Sequence, residues 1–264
     1  MAAAVTIDDV FAARLRIAPV VARTPLARSE TLSAVASHPV YLKKDHHQPT
    51  GSFKLRGASN AVLARAGTGG VQTVGAASTG NHGRALAHAA GAAGMRAVIC
   101  MSALVPANKV DAIRALGADV HIVGKSQDDA QAEIDRLARE SGLIDIPPFD
   151  NRDIIAGQAT LGAEIAEEIG DFDAVLVPLS GGGLISGVAL AVKALSPATR
   201  VIGVSMQRGA AMAAALDAGK PVAVEEVETL ADSLGGGIGL DNRYTFEMVQ
   251  RLVDDVILLT EREI

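Results

Sequence analysis

One stretch decides the fold, namely Ala174-Val-Leu-Val-Pro-Leu-Ser180-Gly-Gly-Gly-Leu184-Ile-Ser-Gly-Val-Ala-Leu-Ala-Val-Lys-Ala-Leu195. Its first part, residues 174–179, is a near-continuous apolar run of strand length, which is typical of a strand buried in a parallel sheet. Three glycines follow, and the residues from Leu184 to Leu195 form a helical pattern. A strand that leads into a helix through a tight glycine turn is the repeating unit of parallel α/β sheets.

The same alternation of strand and helix patterns continues outward over most of the chain. Strands are predicted at 41–44, 71–77, 97–101, 119–123, 174–179, 201–206 and 256–259. Helices are predicted at 52–65, 81–94, 106–116, 126–139, 154–169, 184–195, 210–218 and 242–253. Strands that alternate with helices of this length form parallel sheets through crossover connections. The sequence therefore predicts an α/β fold with parallel sheets flanked by helices.

Two lobes are expected, because the segment 143–150 contains Pro147-Pro148 and interrupts the pattern in the way that a hinge does. The smaller lobe is predicted to span residues 70–146, and the larger lobe residues 1–69 together with 147–264. Ligands of such sheets bind beyond the carboxyl ends of the strands, where loops lead into helix N-termini. The candidate functional segments below all lie at such positions.

Composition and charge exclude several classes of protein. Of the 264 residues, 49% are hydrophobic and 20% are charged, as in globular proteins rather than disordered ones. The net charge of −6 and the lack of a basic block argue against a nucleic-acid or anionic-membrane partner. The one cysteine, Cys100, lies in an apolar run and is expected to be a buried free thiol. No apolar stretch reaches the roughly 20 residues of a membrane span, and we predict a cytoplasmic protein.

The glycine loop, defined as residues 180–184, is predicted to bind a phosphate. Consecutive glycines let several backbone N–H groups converge on one anion, and the helix dipole adds positive potential. A rival interpretation takes Gly181, Gly183 and Gly187 as a loosened dinucleotide-binding pattern. That pattern requires an acidic residue at the end of the next strand, where this chain has Ser205-Met206-Gln207. A tight turn without a ligand is the remaining alternative, and it needs fewer than three glycines.

The segment Gln48-Pro-Thr-Gly-Ser-Phe-Lys54-Leu-Arg-Gly57 opens a predicted helix. Thr50 or Ser52 is predicted to cap that helix, which places Lys54 in its first turns. The helix dipole disfavours a cation at this end, so we expect the pKa of Lys54 to be lowered. A neutral lysine amine is a nucleophile that suits covalent bonding to a carbonyl carbon. The alternative is an ordinary surface lysine.

A third segment, Ser78-Thr79-Gly80-Asn81-His82-Gly83, also leads from a predicted strand into a helix. Its N–H groups can hold a carboxylate, and the Asn81 amide can bond a hydroxyl or phenolic oxygen. The alternative is a helix cap formed by Ser78, Thr79 or Asn81. No histidine or cysteine spacing typical of a metal site occurs, so no metal is predicted.

Together and in this order, the three segments resemble those of the β-family, or fold type II, of pyridoxal-phosphate enzymes, the group of threonine dehydratase and serine racemase. The resemblance covers essentially the whole chain and implies a lyase with pyridoxal 5′-phosphate as cofactor, acting on a small amino acid. It implies that Lys54 bonds the cofactor and exchanges the α-proton of the substrate. The other cofactor-binding residues that it implies are Asn81, Ser180, Gly181, Gly182, Gly183 and Leu184. The implied substrate-binding residues are Ser78, Thr79, Gly80, Asn81 and His82, with Thr79 also a catalytic candidate.

Within this family, Leu230-Ala-Asp-Ser-Leu-Gly-Gly-Gly-Ile-Gly-Leu-Asp-Asn-Arg-Tyr244 is similar to dehydratases of hydroxyectoine degradation. Segments 78–85, 104–109 and 202–206 share that similarity. The resemblance implies dehydration and deamination of a β-hydroxy amino acid of that degradation. The alternatives are L-threonine or L-serine dehydration, serine racemisation, and cofactor binding without catalysis. A homodimer or homotetramer is what the resemblance implies for the full-length protein.

Three departures from the family pattern shape these expectations. Thr79 stands where a racemase of the family has a serine that acts on the second face of the substrate, which favours elimination. Ser205-Met206 replaces the common Glu-Pro, so no metal ligand is carried over. The C-terminal residue that contacts the pyridine nitrogen in the family has no counterpart, and Thr260-Glu261-Arg262-Glu263 has the pattern of a helix-starting capping box. We therefore expect a chain that is shortened at its C-terminus.

Overall fold

The computed structural model describes residues 4–66, 72–78 and 80–264, which form two compact units. One unit is Leu15–Pro148, and the other joins the N-terminal residues up to Arg14 to Phe149–Ile264. The division falls within the predicted hinge at 143–150. It groups residues 15–66 with the predicted small lobe, so the compact units and the predicted lobes have different boundaries. The assignment to a large and a small lobe stays a prediction.

The helices and strands are numbered along the chain. The helices of the described residues are α1 (Ile7–Ile17), α2 (Glu30–Ala36), α3 (Lys54–Ala66), α4 (Asn81–Ala92), α5 (Ala107–Arg114), α6 (Gln127–Ser141), α7 (Arg152–Ile169), α8 (Gly183–Leu195), α9 (Ala211–Ala218) and α10 (Thr245–Leu252). The strands are β1 (Leu26–Arg28), β2 (Tyr41–Lys43), β3 (Thr73–Ala77), β4 (Arg96–Met101), β5 (Asp119–Ile122), β6 (Ile144–Asp145), β7 (Ala174–Pro178), β8 (Arg200–Met206) and β9 (Asp255–Leu259). Short 3₁₀ turns lie at Asp45–His47 and Asp232–Leu234.

The unit Leu15–Pro148 contains a parallel sheet of order β5-β4-β3-β6, and β1 and β2 form a separate antiparallel pair. Small and aliphatic side chains fill β3 and β4, and Cys100 in β4 is fully buried as predicted. Burial raises the pKa of that thiol to about 12. The amphipathic helix α6 covers the sheet with Ala130 and Ile134, and its start is fixed by a capping box between Ser126 and Asp129.

The other unit contains the parallel sheet β7-β8-β9 and the closely packed pair α7 and α8. Two glycines make this close packing possible. A Cβ on Gly162 would lie 2.8 Å from the Cα of Val188, and one on Gly187 would lie 2.6 Å from the backbone nitrogen of Ala159. Gly187 is therefore required for the contact between α7 and α8. Helix packing thus explains the third glycine of the loosened dinucleotide pattern, and no bound nucleotide is needed to explain it.

The predicted α/β fold with parallel sheets and flanking helices is confirmed. The sequence analysis does not predict α1, β1, α2 or β6, and β6 lies inside the segment expected to be a hinge. The strands β1 and β6 have only three and two residues, which is too few to show a periodicity. Across the described residues, no helix is long and apolar enough to cross a membrane.

Candidate active site

Two loops of the unit Leu15–Pro148 meet because their strands are neighbours. β3 and β6 pair in parallel, so their carboxyl ends lie at one edge of the sheet. β3 leads towards α4, and β6 leads into Ile146-Pro147-Pro148. In the first turn of α4, His82 lies with Nε2 2.7 Å from the carbonyl oxygen of Ile146. Because a carbonyl oxygen only accepts, Nε2 carries the proton and Nδ1 of the neutral ring is an acceptor.

Lys54 is the first residue of α3, and its Nζ donates to the carbonyl oxygen of Pro148 at 2.8 Å. Burial lowers the pKa of Lys54 to about 8, since a charged amine loses water there. The direction agrees with the expectation, but the cause is desolvation rather than the helix dipole on which the expectation rested. His82 is kept neutral in the same way, because burial and then the charge of Lys54 lower its pKa to about 3.

Three buried polar atoms on these segments lack a hydrogen-bond partner among the described residues, namely Thr50 Oγ1, Ser52 Oγ and His82 Nδ1. The prediction that Thr50 or Ser52 caps the lysine helix is therefore wrong. Both hydroxyls are buried away from the first helical N–H groups, and Leu55 N donates instead to the backbone oxygen of Ser52 at 3.4 Å. A buried polar group without a partner costs about 1 to 3 kcal/mol, and a ligand with polar groups removes that cost.

A buried ion pair holds the segment that carries Lys54. Arg56 is fully buried and donates from Nε and Nη2 to the two carboxylate oxygens of Asp45, each at 2.8 Å. Thr24 Oγ1 donates to the same carboxylate at 2.6 Å, and Gln48 Nε2 lies 3.4 Å from it. The Arg56 guanidinium and these donors outweigh burial and hold the pKa of Asp45 below its usual value. The chain between Asp45 and Arg56 is thus closed into a loop with Lys54 near its end.

In the third predicted segment, residues 78–83, only some polar groups form hydrogen bonds within the protein. Ser78 Oγ accepts a hydrogen bond from Gly83 N at 2.9 Å, so this hydroxyl stabilises the turn into α4 as the capping alternative predicts. Asn81 is exposed, and its side chain makes no hydrogen bond to any other described residue. Gly80 precedes the helix with open space around it. Thr79 lies outside the described residues, so its predicted role stays a prediction.

The glycine loop lies in the other unit, between β7 and α8. Gly182 is the residue before the helix, with a left-handed φ of +85° and no side chain that caps the first turn. Leu179 N donates to Val204 O at 2.8 Å, so the ladder of the sheet runs up to the loop. The first N–H groups of α8 have no acceptor within the helix and point from its N-terminus. This is the backbone arrangement that binds a phosphate.

Packing explains why the loop needs glycine. A Cβ on Gly181 would overlap Cδ1 of Phe149, and one on Gly183 would lie 2.8 Å from the Cβ of Phe149. A Cβ on Gly182 would lie 2.8 Å from Cε of Met212 and 3.0 Å from the Cβ of Thr245. A side chain at any of these positions would therefore require a shift of the loop or of the side chains packed against it. The three glycines can offer only their backbone N–H groups as donors, and such donors suit a phosphate.

Comparison with known proteins identifies the family. The family described as pyridoxal-phosphate dependent enzyme matches residues 17–264, and the chain belongs to it. A putative threonine dehydratase of Sinorhizobium fredii is 58% identical over 98% of this chain and 78% of that protein. The L-threonine ammonia-lyase of Thermotoga maritima is 39% identical over 98% of this chain and 64% of its own length. Maize serine racemase superposes with a TM-score of 0.92 at 35% identity, over 98% of this chain and 78% of that structure.

The chain is thus a pyridoxal-phosphate-dependent enzyme of the fold type II group that contains threonine dehydratases and serine racemases. The residues present fit this cofactor. Lys54 offers a partly buried amine of lowered pKa, and the glycine loop offers backbone donors without room for a side chain. Among the described residues there is no group of three or more histidine, cysteine, aspartate or glutamate side chains that could hold a metal.

Several residues that shape the site are absent from the sequence-based expectations. They are the carbonyl groups of Ile146 and Pro148, the side chain of Phe149, and the Asp45–Arg56 pair. The first two act through the backbone, where residue type carries little information. The position of Phe149 follows from β6, which pairs with β3 and leads into Pro147-Pro148-Phe149. Recognition of β6 in the sequence would therefore have pointed to Phe149.

Proposed function

We propose that this enzyme dehydrates and deaminates L-threonine, and L-serine as the smaller analogue. The observation that carries the proposal is the Lys54 amine, which is partly buried, has a pKa of about 8 and is oriented by the Pro148 carbonyl. The choice of substrate is supported by relatives named threonine dehydratase and L-threonine ammonia-lyase. Overall, threonine would lose its α-proton and β-hydroxyl as one water, and hydrolysis of the resulting unsaturated amine, which consumes one water, would give 2-oxobutanoate and ammonia.

The cofactor-binding residues in this proposal are Lys54, Asn81 and the glycine loop. Pyridoxal phosphate, when bound, supplies an electron sink for the electrons left at the substrate Cα. The first-turn N–H groups of α8 hold its phosphate group, and the exposed Asn81 amide is available to its ring oxygen. Lys54 supplies the amine that bonds its carbonyl carbon.

Lys54 also moves the α-proton. A neutral Nζ has one lone pair, and the hydrogen bond that it donates to Pro148 O restricts where that lone pair points. A pKa near 8 is close to physiological pH, which suits an amine that takes up a proton and later returns it. Pro147 and Pro148 have no N–H groups, so this segment offers Nζ acceptors before and after the transfer.

Substrate selection is assigned to the polar atoms without partners. Ser52 Oγ and Thr50 Oγ1 can donate to a carboxylate, and His82 Nδ1 can accept from a hydroxyl or an ammonium group. The N–H groups at the start of α4, near Ser78 and Gly80, are further donors for the carboxylate. A small hydroxy amino acid supplies both kinds of partner, a carboxylate for the donors and a hydroxyl or ammonium group for His82 Nδ1.

Racemisation of serine is the second candidate, favoured by the close superposition with maize serine racemase. It needs a second acid or base on the opposite face, and the candidate for that role is Thr79. A hydroxy amino acid from hydroxyectoine degradation is a finer proposal that rests on the similarity of the segment 230–244 and of three shorter segments. A dimer or tetramer and a cytoplasmic location also stay predictions.

A substrate panel tests the proposal. Purified protein with pyridoxal phosphate is incubated with L-threonine, L-serine and β-hydroxylated diamino acids, and ammonia, 2-oxo acid and D-amino acid are measured. We expect ammonia and 2-oxobutanoate from threonine. D-serine without ammonia would favour racemisation, and turnover of the diamino acids alone would favour the hydroxyectoine assignment.

The role of Lys54 is tested by trapping. Borohydride reduction followed by peptide mapping is expected to leave the cofactor attached to Lys54. Lys54→Ala is expected to lose the attachment and to lower turnover by roughly 10² to 10⁴-fold, as for removal of a catalytic base. Lys220→Ala removes an exposed lysine and serves as the matched control. Attachment that persists in Lys54→Ala would refute the assignment.

A further inference from the structure

A single carboxylate, that of Asp150, accepts three backbone hydrogen bonds at the start of α10. The N–H groups of Arg243, Tyr244 and Thr245 donate to it at 2.6, 2.9 and 2.9 Å. Three N–H donors neutralise much of the negative charge and satisfy the groups that a helix start leaves without partners. No side-chain cap is made by Tyr244, the residue that precedes the helix. Asn242 Oδ1 accepts the next N–H, that of Phe246, at 2.9 Å, so Asp150 and Asn242 together fix the start of α10, three residues later than the predicted start at 242.

The two segments that Asp150 joins both pack against the glycine loop. Phe149, its neighbour in the chain, occupies the space beside Gly181 and Gly183. Thr245, one of its three hydrogen-bond donors, occupies the space beside Gly182. Ser186 Oγ, in the first turns of α8, also lies 3.5 Å from the backbone oxygen of Thr245.

We propose that Asp150 is a positioning residue for the cofactor phosphate, because it joins the two segments that pack against the glycine loop. This inference rests on the proposed function, in which that loop holds the phosphate. A carboxylate has the wrong charge to contact a phosphate directly, so its effect is exerted through Phe149 and Thr245. Hydrogen bonds to a charged acceptor are stronger than neutral ones, and three of them converge here.

The test separates phosphate binding from general stability. Dissociation constants for pyridoxal phosphate and for pyridoxal, which lacks the phosphate, are measured for the wild type, Asp150→Ala and Asp150→Asn. We expect Asp150→Ala to weaken pyridoxal phosphate binding about tenfold or more, on the scale of one lost charged hydrogen bond, and to leave pyridoxal binding within about twofold. Asp150→Asn keeps one acceptor oxygen and is expected to lose less.

Asp129→Ala is the matched control, because Asp129 also accepts backbone N–H bonds at a helix start, from Lys125 and Ser126, in the other unit. It is expected to lower the melting temperature without changing either dissociation constant. Equal weakening of pyridoxal and pyridoxal phosphate by Asp150→Ala, or no weakening, would overturn the inference. If Asp150→Ala does not fold, Asp150→Asn is judged by the same criterion.

The two proposals fail in different ways. A wild type that binds pyridoxal as tightly as pyridoxal phosphate would refute the phosphate cradle itself, and the role of Asp150 with it. A wild type with phosphate-dependent affinity that survives in both Asp150 variants would refute the role of Asp150 alone.

Discussion

The lysine segment and the glycine loop differ in the groups that hold them and in the groups that they offer to a ligand. The segment that carries Lys54 is held by side chains, because the buried Arg56 guanidinium and the Thr24 hydroxyl both donate to the Asp45 carboxylate, while Lys54 itself donates to a backbone carbonyl. Around the glycine loop it uses backbone donors, and the surrounding contacts are mostly apolar, from Phe149 and Met212. An amine that must change its proton needs a controlled polar environment. A phosphate carries permanent charge and needs only convergent N–H groups held in place.

The largest expected effect is on the lysine segment. Asp45→Asn leaves the buried Arg56 guanidinium without its countercharge, and we expect a loss of about 3 to 5 kcal/mol in the free energy of unfolding, measured with urea. Asp111→Asn breaks the exposed pair with Arg114, whose side chains are 71% and 54% exposed, and should cost under about 1 kcal/mol. Similar losses in the two variants would mean that the buried pair does not stabilise this segment.

A pH-dependent effect of intermediate size is expected from Lys54 in the cofactor-free protein. Its pKa is about 8 when folded and near its ordinary 10.5 when unfolded, so between these values the unfolded chain binds more protons. The free energy of unfolding therefore rises with pH across that window, by roughly 3 kcal/mol, and the contribution of Lys54 is constant below and above it.

The measurement compares the wild type with Lys54→Met by urea unfolding at several pH values. Between pH 8 and 10.5 the free energy of unfolding of the wild type should rise relative to that of the variant, because the variant has no amine at this position. Lys220→Met, at an exposed position, should follow the wild type throughout. A constant difference between wild type and Lys54→Met would show that the amine has an ordinary pKa.

The next prediction concerns the glycine loop. Gly181→Ala places a Cβ against the ring of Phe149, and relief requires a shift of the loop or the ring. We expect a destabilisation of about 1 to 3 kcal/mol, as for overpacking, together with weaker binding of pyridoxal phosphate. Thermal unfolding and cofactor titration measure the two effects. Unchanged stability and affinity would mean that Phe149 moves freely and does not shape the loop.

The contrast between the two regions also explains what the sequence can predict. Residues 180–184 are recognisable because three consecutive glycines between a strand and a helix are typical of an anion-binding turn, and α8 begins within one residue of its expected start. The expected burial of the preceding strand is wrong, since β7 is an edge strand and only Val177 in it is buried. The order of the three segments is sufficient to indicate the family. The partners of Lys54 and His82 are not predictable, because carbonyl oxygens on Ile146 and Pro148 depend on the pairing of β6 with β3 and on no particular residue type. The predicted cap at Thr50 or Ser52 is wrong, since local propensity does not show which hydroxyls are buried.

The smallest expected effect distinguishes a glycine that is required from one that is not. Gly91 lies in α4 on an exposed turn, its φ is ordinary, and no atom lies within 4 Å of a Cβ placed on it. Gly91→Ala should therefore stabilise the protein by about 0.5 to 1 kcal/mol, because alanine loses less backbone entropy in a helix. Cofactor affinity should stay the same. Opposite signs for Gly91→Ala and Gly181→Ala in thermal unfolding would show that packing under Phe149, rather than glycine as such, makes the loop intolerant. If both variants lost stability to the same extent, that contrast would be wrong.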